Sequence, residues 1–384
     1  MRRAAARCGR AWLALAALAA VSVAPALGEA AKPLLVLRDG AATPADAARI
    51  TAANAWWERN HPGETPCRKC VMRPPGSDLL WTYYRRQGFF PNWVAGSRDL
   101  LRRDGAGQAA GFRAGVAEIV SYSVVRTSPQ GIRYRINESP YLAPDSTSPP
   151  WRDAMGQGLI LTLFVPSIPE RPTAEQIVTA RTHATEYLNS FAVHWRDGGI
   201  AADGSAGGRW YLEYAHEKGD RARVLNGFMQ TLVSLDKFAT QTERFGDDPQ
   251  WSALRDRARE YVRLGAVELN AHLDEYDLGG GVSRYSLTRE GPAPAVYQTY
   301  HRQLLRLLQG LDYLPKQWRR HFSEVRVSWG GRTDGTGLVT WWSVLGASLL
   351  ALALLALLRR RRVVRRAVAP GAAASYRPEA EKCW

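Results

Sequence analysis

The feature that most constrains the fold is a series of amphipathic segments with helical period, from Trp151 to Leu314. In Arg221–Phe238, apolar residues recur every three or four positions, as on the buried face of a helix. The same pattern predicts helices over 155–164, Ile177–Phe191, Trp251–Leu273 and Tyr297–Leu314, separated by breaks rich in glycine or proline. Consecutive helices of this kind build bundles, solenoids or α/α toroids. Composition does not choose among these three.

Residues 31–150 have a less regular pattern. Thr43 before Pro44 is a helix start signal and predicts a helix over the alanine-rich stretch up to Trp57. Four prolines within 61–76 predict an irregular crossing. For the rest we predict helical or mixed structure over Asp78–Phe90 and Ala106–Val125, a short strand over Gly131–Ile136 and a proline-rich loop over 137–150.

Residues 1–30 have the layout of a secretory signal peptide. Four arginines precede the apolar run Trp12–Val23, and small residues follow it. Such a run is short for a helix that crosses a bilayer. We therefore predict a cleaved signal, with a retained membrane anchor as the alternative.

A second apolar segment, Gly337–Leu358, contains no charged residue. About 20 helical residues cross the ~30 Å hydrocarbon core of a bilayer. Trp341 and Trp342 suit the membrane interface, and the basic cluster Arg359–Arg362 favours the cytoplasmic side. The pattern predicts a linker over 325–336, a transmembrane helix over 337–358 and a basic cytoplasmic tail over 359–384, with the body outside the cytoplasm. A buried core helix and a sorting tail removed after export are the alternatives.

The net charge of +15 is unevenly distributed: residues 1–30 carry +3 and residues 359–384 carry +6, which leaves +6 for the body. The high charge therefore does not indicate nucleic-acid binding, because more than half of it lies in the two ends. The charge of the body modestly favours a polyanionic partner. Cys67 and Cys70 predict a small structural disulfide rather than a redox pair. No motif calls for a metal ion or an organic cofactor.

Four stretches place polar residues where a simple helix bundle has little need of them. They are Trp151–Gly158, Gly207–Tyr214, Val224–Leu232 and Tyr276–His301. The third contains Asn226 and Gly227 inside an otherwise good helix. Glycine within a helix costs about 1 kcal/mol relative to alanine. The pair therefore predicts that another group approaches the helix closely at this point.

Together, these stretches resemble the C-terminal domain of the D-glucuronyl C5-epimerases, which convert glucuronate to iduronate within heparan-type chains. Trp151–Gly158 is similar to the family pattern W-x-x-A-M-A-Q-G, Gly207–Tyr214 to G-G-W-x-E-E-Y, and Val224–Leu232 to V-L-N-G-F-x-x-S-L. Glu275–Tyr285 is similar to L-Y-D-x-G-S-G-x-x-Y, and Tyr297–Leu304 to Y-H-x-x-H-x-x-Q-L. The resemblance covers 151–314, about half of the chain. It implies a mainly α fold, an incomplete α/α toroid with a few short β-strands, over 151–324, with residues 31–150 packed on it.

The resemblance also implies site residues. By matching motifs, the catalytic residues are Glu213, Tyr214, Tyr285 and Tyr297, and the substrate-binding residues include Asn226, His301 and Gln157. Arg209, Arg289 and Arg302 are further candidates, because a guanidinium matches a carboxylate in geometry. Each residue taken alone also has an ordinary structural interpretation: a lone tyrosine more often packs, and His301 suits a core position.

Two positions depart from the family patterns. Gln298 follows Tyr297 where the family has histidine, and Thr288 replaces an arginine expected to meet the substrate carboxylate. In addition, residues 31–130 contain no convincing counterpart of the larger β-rich region of the animal enzymes. These departures bear mainly on substrate preference.

The proposed reaction needs residues of these types. Epimerisation removes the C5 proton, which is α to a carboxylate, and returns a proton from the opposite face, so it needs one base and one acid. The charge that builds up on the carboxylate needs nearby donors or cations. Either a tyrosine with a pKa lowered from about 10 or Glu213 can be the base, with Tyr297 as a donor. The sequence does not assign the two faces.

The function we expect is epimerisation at C5 of glucuronic acid residues in an exported, heparosan-like or other uronic-acid polysaccharide, by a membrane-tethered enzyme. A homodimer is compatible with this, since family members are dimeric. A lyase or hydrolase of such polymers fits the same residues, because a lyase shares the C5 proton abstraction. The third possibility is a non-catalytic surface module that binds glycan by aromatic stacking.

Overall fold

The structure is a computed structural model that describes residues 42–67, 70–84, 86–143, 148–216 and 223–330. It is mainly helical, as predicted. The helices are α1 (Pro44–Asn60), α2 (Trp93–Gly105), α3 (Ala109–Ser121), α4 (Ala154–Leu161), α5 (Phe164–Ser167), α6 (Ala174–Asn189), α7 (Leu225–Thr242), α8 (Pro249–His272), α9 (Ala295–Leu308) and α10 (Lys316–Ser328). Short 3-10 helices lie at Trp195–Asp197, Glu243–Phe245 and Leu273–Tyr276.

The strands are short and antiparallel. One sheet has the order β1 (Val71–Met72), β2 (Trp81–Tyr84), β3 (Gly88–Pro91). A second has the order β4 (Ser123–Thr127), β5 (Arg133–Ser139), β6 (Trp151–Arg152), and a hairpin joins β7 (Ala201–Asp203) to β8 (Arg209–Tyr211). Strand β5 extends three residues past the predicted Gly131–Ile136, and β7 lies within a glycine-rich break.

Helix α7 lies at the centre of the helical part and packs against α4, α8 and α9. Its predicted apolar face is buried, since Leu225, Phe228 and Leu232 have no exposed surface. Glycines let the helices approach closely: a β-carbon added at Gly265 of α8 would lie 2.3 Å from Leu232 Cδ2. Helix packing therefore fixes α7 on several sides.

The N-terminal region contains the main corrections to the predicted elements. Asp78–Phe90 forms the β2–β3 hairpin and no helix, because its aromatic residues pack as strands and Gly88 takes a left-handed φ of 117° at the start of β3. Helix α2 was not predicted; the side chain of Asn92 caps it by accepting from Ala95 N at 2.9 Å. The predicted start of α1 is confirmed, with Thr43 as its N-cap.

Several predictions concern residues near or beyond the limits of the described ranges. Cys67 and Cys70 form the predicted disulfide. Helix α10 was not predicted and continues to Ser328, past the expected start of the linker. No helix within the described ranges is long and apolar enough to cross a membrane; the predicted signal (1–30), transmembrane helix (337–358) and tail (359–384) lie outside those ranges. The toroidal arrangement stays a prediction.

Candidate active site

Four segments that carry the sequence motifs are hydrogen-bonded in pairs. Arg152 N and Ala215 N each donate to the other residue's carbonyl oxygen, at 3.0 and 2.9 Å, and Ala154 N donates to Leu212 O at 2.9 Å. Leu225 N, at the start of α7, donates to Tyr285 O at 3.0 Å. The backbone therefore holds the first motif beside the second and the third beside the fourth.

Glu213 is the group that approaches α7 closely. A β-carbon added at Gly227 would lie 2.0 Å from Glu213 Oε2 and 2.9 Å from Glu213 Cβ. Only a residue without a side chain leaves room for the carboxylate there. The close approach predicted from the Asn-Gly pair is confirmed, and it connects two motifs that lie apart in the sequence.

Three tyrosines, Tyr214, Tyr285 and Tyr297, form what we call the tyrosine cluster. The rings of Tyr285 and Tyr297 meet edge to face with centroids 4.9 Å apart. Burial raises the pKa of all three phenols above the ordinary value, and the charge of Glu213 raises each pKa further. The phenols are therefore neutral near pH 7, and Glu213 lies close enough to act on all of them.

The hydroxyl groups of the cluster interact in sequence. A hydrogen bond between Tyr214 and Tyr285 raises the pKa of Tyr214 and lowers that of Tyr285. An interaction with the Tyr285 side chain lowers the pKa of Tyr297. Because burial is still the largest effect on each group, all three remain protonated. The three phenols are therefore coupled pairwise, Tyr214 to Tyr285 and Tyr285 to Tyr297.

A wall of aromatic rings continues from the cluster into the N-terminal region. Trp151 meets Tyr214 at a centroid distance of 5.2 Å and Tyr141 at 5.3 Å, both edge to face. Tyr141 stacks on Tyr84 at 3.7 Å, and their hydroxyls are hydrogen-bonded at 2.7 Å. Asn92 Nδ2 donates to the Tyr84 hydroxyl at 2.9 Å. Residues of β2 and of the α2 cap therefore support the same wall.

Asp153 is a buried carboxylate beside this wall, and the sequence motifs did not predict a role for it. It is 6% exposed and caps α4, with Oδ1 accepting from Met155 N at 2.8 Å. Burial raises the pKa of Asp153 to about 7, while backbone hydrogen bonds and the charge of Arg98 lower it. Its charge in turn raises the pKa of four neighbouring phenols: Tyr84, Tyr141, Tyr214 and Tyr285. The available signal was an acidic residue at a helix start inside the first motif.

Arg98 of α2 is a second residue that was missed. Its Nη2 donates to the hydroxyl of Tyr300, and its charge lowers the pKa of Tyr297 and Tyr300, in each case against the larger effect of burial. No motif of the sequence pointed to it, because α2 itself was not predicted. The N-terminal region thus brings a cation to the cluster.

Asn226 and Arg289 also lie at the cluster. Asn226 is 3% exposed in the first turn of α7, next to Gly227, and its Oδ1 has no hydrogen-bond partner among the described residues. Arg289 is exposed, with its guanidinium carbon 5.7 Å from the centroid of the Tyr285 ring, and its charge lowers the pKa of Tyr297. Arg289 is therefore an exposed cation beside the cluster, and Asn226 is a buried amide with an unpartnered oxygen next to Gly227.

Three predicted substrate-binding residues make contacts elsewhere. Arg209 Nη1 donates to the carbonyl oxygens of Phe191 and Ala192 at 3.2 and 3.0 Å. Gln157 is fully buried and its Nε2 donates to Asn137 O at 3.3 Å. His301 is fully buried beside Ser283 Oγ at 2.8 Å, and burial lowers its pKa to about 3. These contacts tie the three side chains to their own surroundings, and none of them joins the cluster.

Gln298 explains one departure from the family patterns in structural terms. Its Oε1 accepts from Ser283 N and Oγ at 2.9 and 2.8 Å, and its Nε2 donates to Ser283 O and Ala293 O at 2.8 and 3.1 Å. The side chain therefore fastens the segment before Tyr285 to α9. Among the described residues, no three His, Cys, Asp or Glu side chains gather where they could hold a metal ion.

Comparison with known proteins adds one finding. A family model described as D-glucuronyl C5-epimerase C-terminus matches residues 128–330, more than half of the chain. The match includes Asp153, Glu213 and the whole tyrosine cluster, and it begins after Tyr84 and Arg98. A search of the curated proteins finds no match.

Proposed function

Because the chain belongs to the D-glucuronyl C5-epimerase family, we propose that it inverts C5 of glucuronic acid residues, to iduronic acid, within a heparosan-like or other uronic-acid polymer. The observation that carries this proposal is the position of Glu213, packed against Gly227 and acting on three interacting phenols. A carboxylate beside neutral phenols supplies both a base and an acid.

The pKa directions support a division of roles. The phenols are neutral in the resting enzyme, because burial raises the pKa of each one and the charge of Glu213 adds to that effect. We therefore assign the base to Glu213, which takes the C5 proton. Tyr297 lies at the end of the cluster, and the charges of Arg98 and Arg289 lower its pKa against the effect of burial. It is therefore the phenol best able to give up its proton to the other face of C5.

The same arrangement explains how the resting state returns. After the reaction, Glu213 holds a proton and Tyr297 is a phenolate. Tyr285 donates to Tyr297, Tyr214 donates to Tyr285, and the proton on Glu213 restores Tyr214. No proton is gained or lost over the cycle. The coupling between neighbouring phenols, and of Glu213 to each of them, supports this path.

The reaction also needs positive charge near the substrate carboxylate. When C5 loses its proton, the carboxylate becomes an enediolate-like group with a second negative charge, which preorganised donors and cations stabilise. Arg289, near the ring of Tyr285, supplies one such charge. Asn226, with a buried amide oxygen in need of a donor, can accept from a sugar hydroxyl.

The test is incubation of a heparosan-type polymer with the full chain in heavy water. An epimerase introduces deuterium at C5, yields iduronate and leaves the chain length unchanged. A lyase produces shortened chains with ultraviolet absorption from the unsaturated end. A non-catalytic binder introduces no deuterium while it retains the polymer. Either of the last two results would reject the proposal.

Glu213→Gln is the variant that tests the base. We expect it to bind polymer and to introduce deuterium at least about 100-fold more slowly, the usual contribution of a general base. Asp277→Asn is the matched control, because Asp277 accepts from Gly279 N in an exposed turn. Labelling by Glu213→Gln at the wild-type rate would assign the base to another group.

The proposed site of action is outside the cytoplasm, at the membrane. This part of the proposal derives from the sequence pattern at residues 1–30 and 337–358. Fractionation of cells that express the full chain checks it: the protein is expected in the membrane fraction, resistant to carbonate extraction and accessible to protease added outside. A variant that ends at residue 336 is expected to be released into the medium.

A further inference from the structure

Helix α2 carries three arginines, and one of them differs from the others in its partner. Arg102 and Arg103 form ion pairs with Asp99, at 2.7 and 3.1 Å. Arg98 makes no ion pair with the described carboxylates; its polar contact is the hydroxyl of Tyr300. A partly buried charge without a counter-ion is unfavourable. The carboxylate charge of Asp153 acts on Arg98 from beyond ion-pair distance, so an anionic ligand would supply the counter-charge at hydrogen-bond distance.

Residues of two other helices fix the orientation of the Arg98 side chain. Its guanidinium carbon lies 5.4 Å from the centroid of the Tyr300 ring. The Tyr300 hydroxyl donates to Gln230 Oε1, and Gln230 Nε2 donates to Ser234 Oγ at 3.0 Å. Tyr300 belongs to α9, and Gln230 and Ser234 belong to α7. A binding group fixed in this way loses little conformational freedom when the ligand arrives.

The charge of Arg98 acts on both sides of the tyrosine cluster. Burial raises the pKa of Tyr297, Tyr300 and Asp153, and in each case the charge of Arg98 opposes that rise. Tyr297 and Tyr300 lie on α9, whereas Asp153 caps α4. The guanidinium, which contacts Tyr300, is therefore also within electrostatic range of Tyr297, the proposed acid.

We propose that Arg98 binds the carboxylate of the uronic acid residue that is inverted, through two parallel hydrogen bonds. The inference rests on the proposed function for the identity of the ligand. A planar guanidinium matches two carboxylate oxygens, and it stays paired with them when they take up the charge from C5. Recognition of the uronate thus depends on a helix that precedes the family-matched residues.

The test compares binding of two ligands by the full chain: a heparosan oligosaccharide and the same oligosaccharide with its carboxyl groups reduced to alcohols. Arg98→Gln is expected to weaken binding of the carboxylated ligand by about 10- to 100-fold, as for a lost charged hydrogen bond. It leaves binding of the reduced ligand within about twofold of wild type. Arg102→Gln, on the same helix and already paired with Asp99, is expected to change neither value.

Three results would overturn the inference: unchanged binding of the carboxylated ligand by Arg98→Gln, equal loss for both ligands, or the same loss in Arg102→Gln. The equal loss would mean that Arg98 only supports the fold. Arg98→Lys keeps the charge but cannot make two parallel hydrogen bonds to one carboxylate. Its binding of the carboxylated ligand is therefore expected to lie between those of Arg98→Gln and wild type.

Failure of the inference and failure of the proposed function give different results. If the wild-type chain introduces deuterium at C5 but Arg98→Gln discriminates the two ligands as well as wild type, Arg98 is not the carboxylate-binding group. If Arg98→Gln loses the discrimination but the wild-type chain introduces no deuterium, Arg98 binds uronate on a protein that is not an epimerase.

Discussion

The two regions that meet at the tyrosine cluster contribute different chemistry. Residues 128–330 contribute the groups that can move protons, namely Glu213 and the phenols. Residues 42–127 contribute Arg98, which is a fixed charge, and Tyr84, which supports the aromatic wall. Under the two proposals, the family-matched region carries out proton transfer, and both regions supply positive charge to the carboxylate: Arg98 from one and Arg289 from the other.

The largest effect expected from this comparison is the difference between two Tyr→Phe variants. Tyr297→Phe removes the proposed acid of the C-terminal region and is expected to lower C5 labelling by about 100- to 10,000-fold. Tyr84→Phe removes a phenol hydroxyl from the N-terminal region. This hydroxyl is hydrogen-bonded to Tyr141 and Asn92. Labelling is expected to stay within about threefold of wild type, with a stability cost of about 1 kcal/mol.

Labelling rates and urea unfolding of both variants measure these effects. Tyr313→Phe is the control for loss of a phenol elsewhere, because Tyr313 donates to Asp236 at 2.8 Å on another part of the bundle. If Tyr84→Phe reduced labelling as much as Tyr297→Phe, the division between a reacting and a supporting region would be wrong.

The second prediction concerns the position of Glu213. Alanine is usually better than glycine within a helix by about 1 kcal/mol, but Gly227→Ala places a methyl group 2.0 Å from Glu213 Oε2. The carboxylate has to move, and a displacement of about 1 Å can cost 100-fold in rate. We expect labelling to fall by about that factor while the variant remains folded.

The control for this prediction is Gly105→Ala in the N-terminal region, where no atom lies within 4 Å of the added carbon. Its labelling rate is expected to equal that of wild type. Full activity in Gly227→Ala would show that the carboxylate does not need its present position.

The third prediction uses Asp153, which lies between the two regions. Its charge forms as the pH rises through about 7, and this second negative charge opposes the enediolate. Labelling by wild type is therefore expected to fall above pH 7. Asp153→Asn keeps the helix cap and is expected to label about tenfold faster than wild type at pH 8.5, the factor for about one pKa unit of interaction.

Stability gives the same prediction an independent readout. Because burial raises the pKa of Asp153 from 3.8 to about 7, the folded state binds more protons than the unfolded state in that window. The contribution of Asp153 to the free energy of unfolding is then highest below about pH 4 and decreases up to about pH 7. Asp153→Asn is expected to be more stable than wild type at pH 8, by up to about 4 kcal/mol, and equal at pH 4. Equal pH dependence of the two proteins would exclude a buried, titrating Asp153.

Helical period in the C-terminal region was informative because α7 packs against α4, α8 and α9, so its buried residues Leu225, Phe228 and Leu232 recur at helical spacing. In the N-terminal region the aromatic residues of β2 and β3 pack on both faces of a small sheet. Neither helical period nor simple alternation follows from such burial. Helix α2 was missed because its polar residues Ser97 and Asp99 are buried, which obscures its apolar face.

For the site, motifs predicted the residues that the backbone brings together, and Gly227 predicted a close contact from its local cost alone. Arg98 could not be found in this way, since its role depends on Tyr300, which lies 202 positions away. Asp153 was visible as a helix cap, but its burial beside the aromatic wall depends on packing. Contacts between distant segments leave no periodic signal in a sequence.

The smallest effect is expected for Arg209, a residue that the sequence predicted to bind substrate. Its Nη1 donates to Phe191 O and Ala192 O, so it ties β8 to the chain that follows α6. Arg209→Gln is expected to lower the free energy of unfolding by about 1–3 kcal/mol and to leave the labelling rate and the KM for the polymer within about twofold. Arg98→Gln is expected to show the opposite pattern, with a weaker substrate interaction and little loss of stability. If Arg209→Gln raised the KM without loss of stability, Arg209 would bind substrate, and recognition by the family-matched region would extend beyond Arg289.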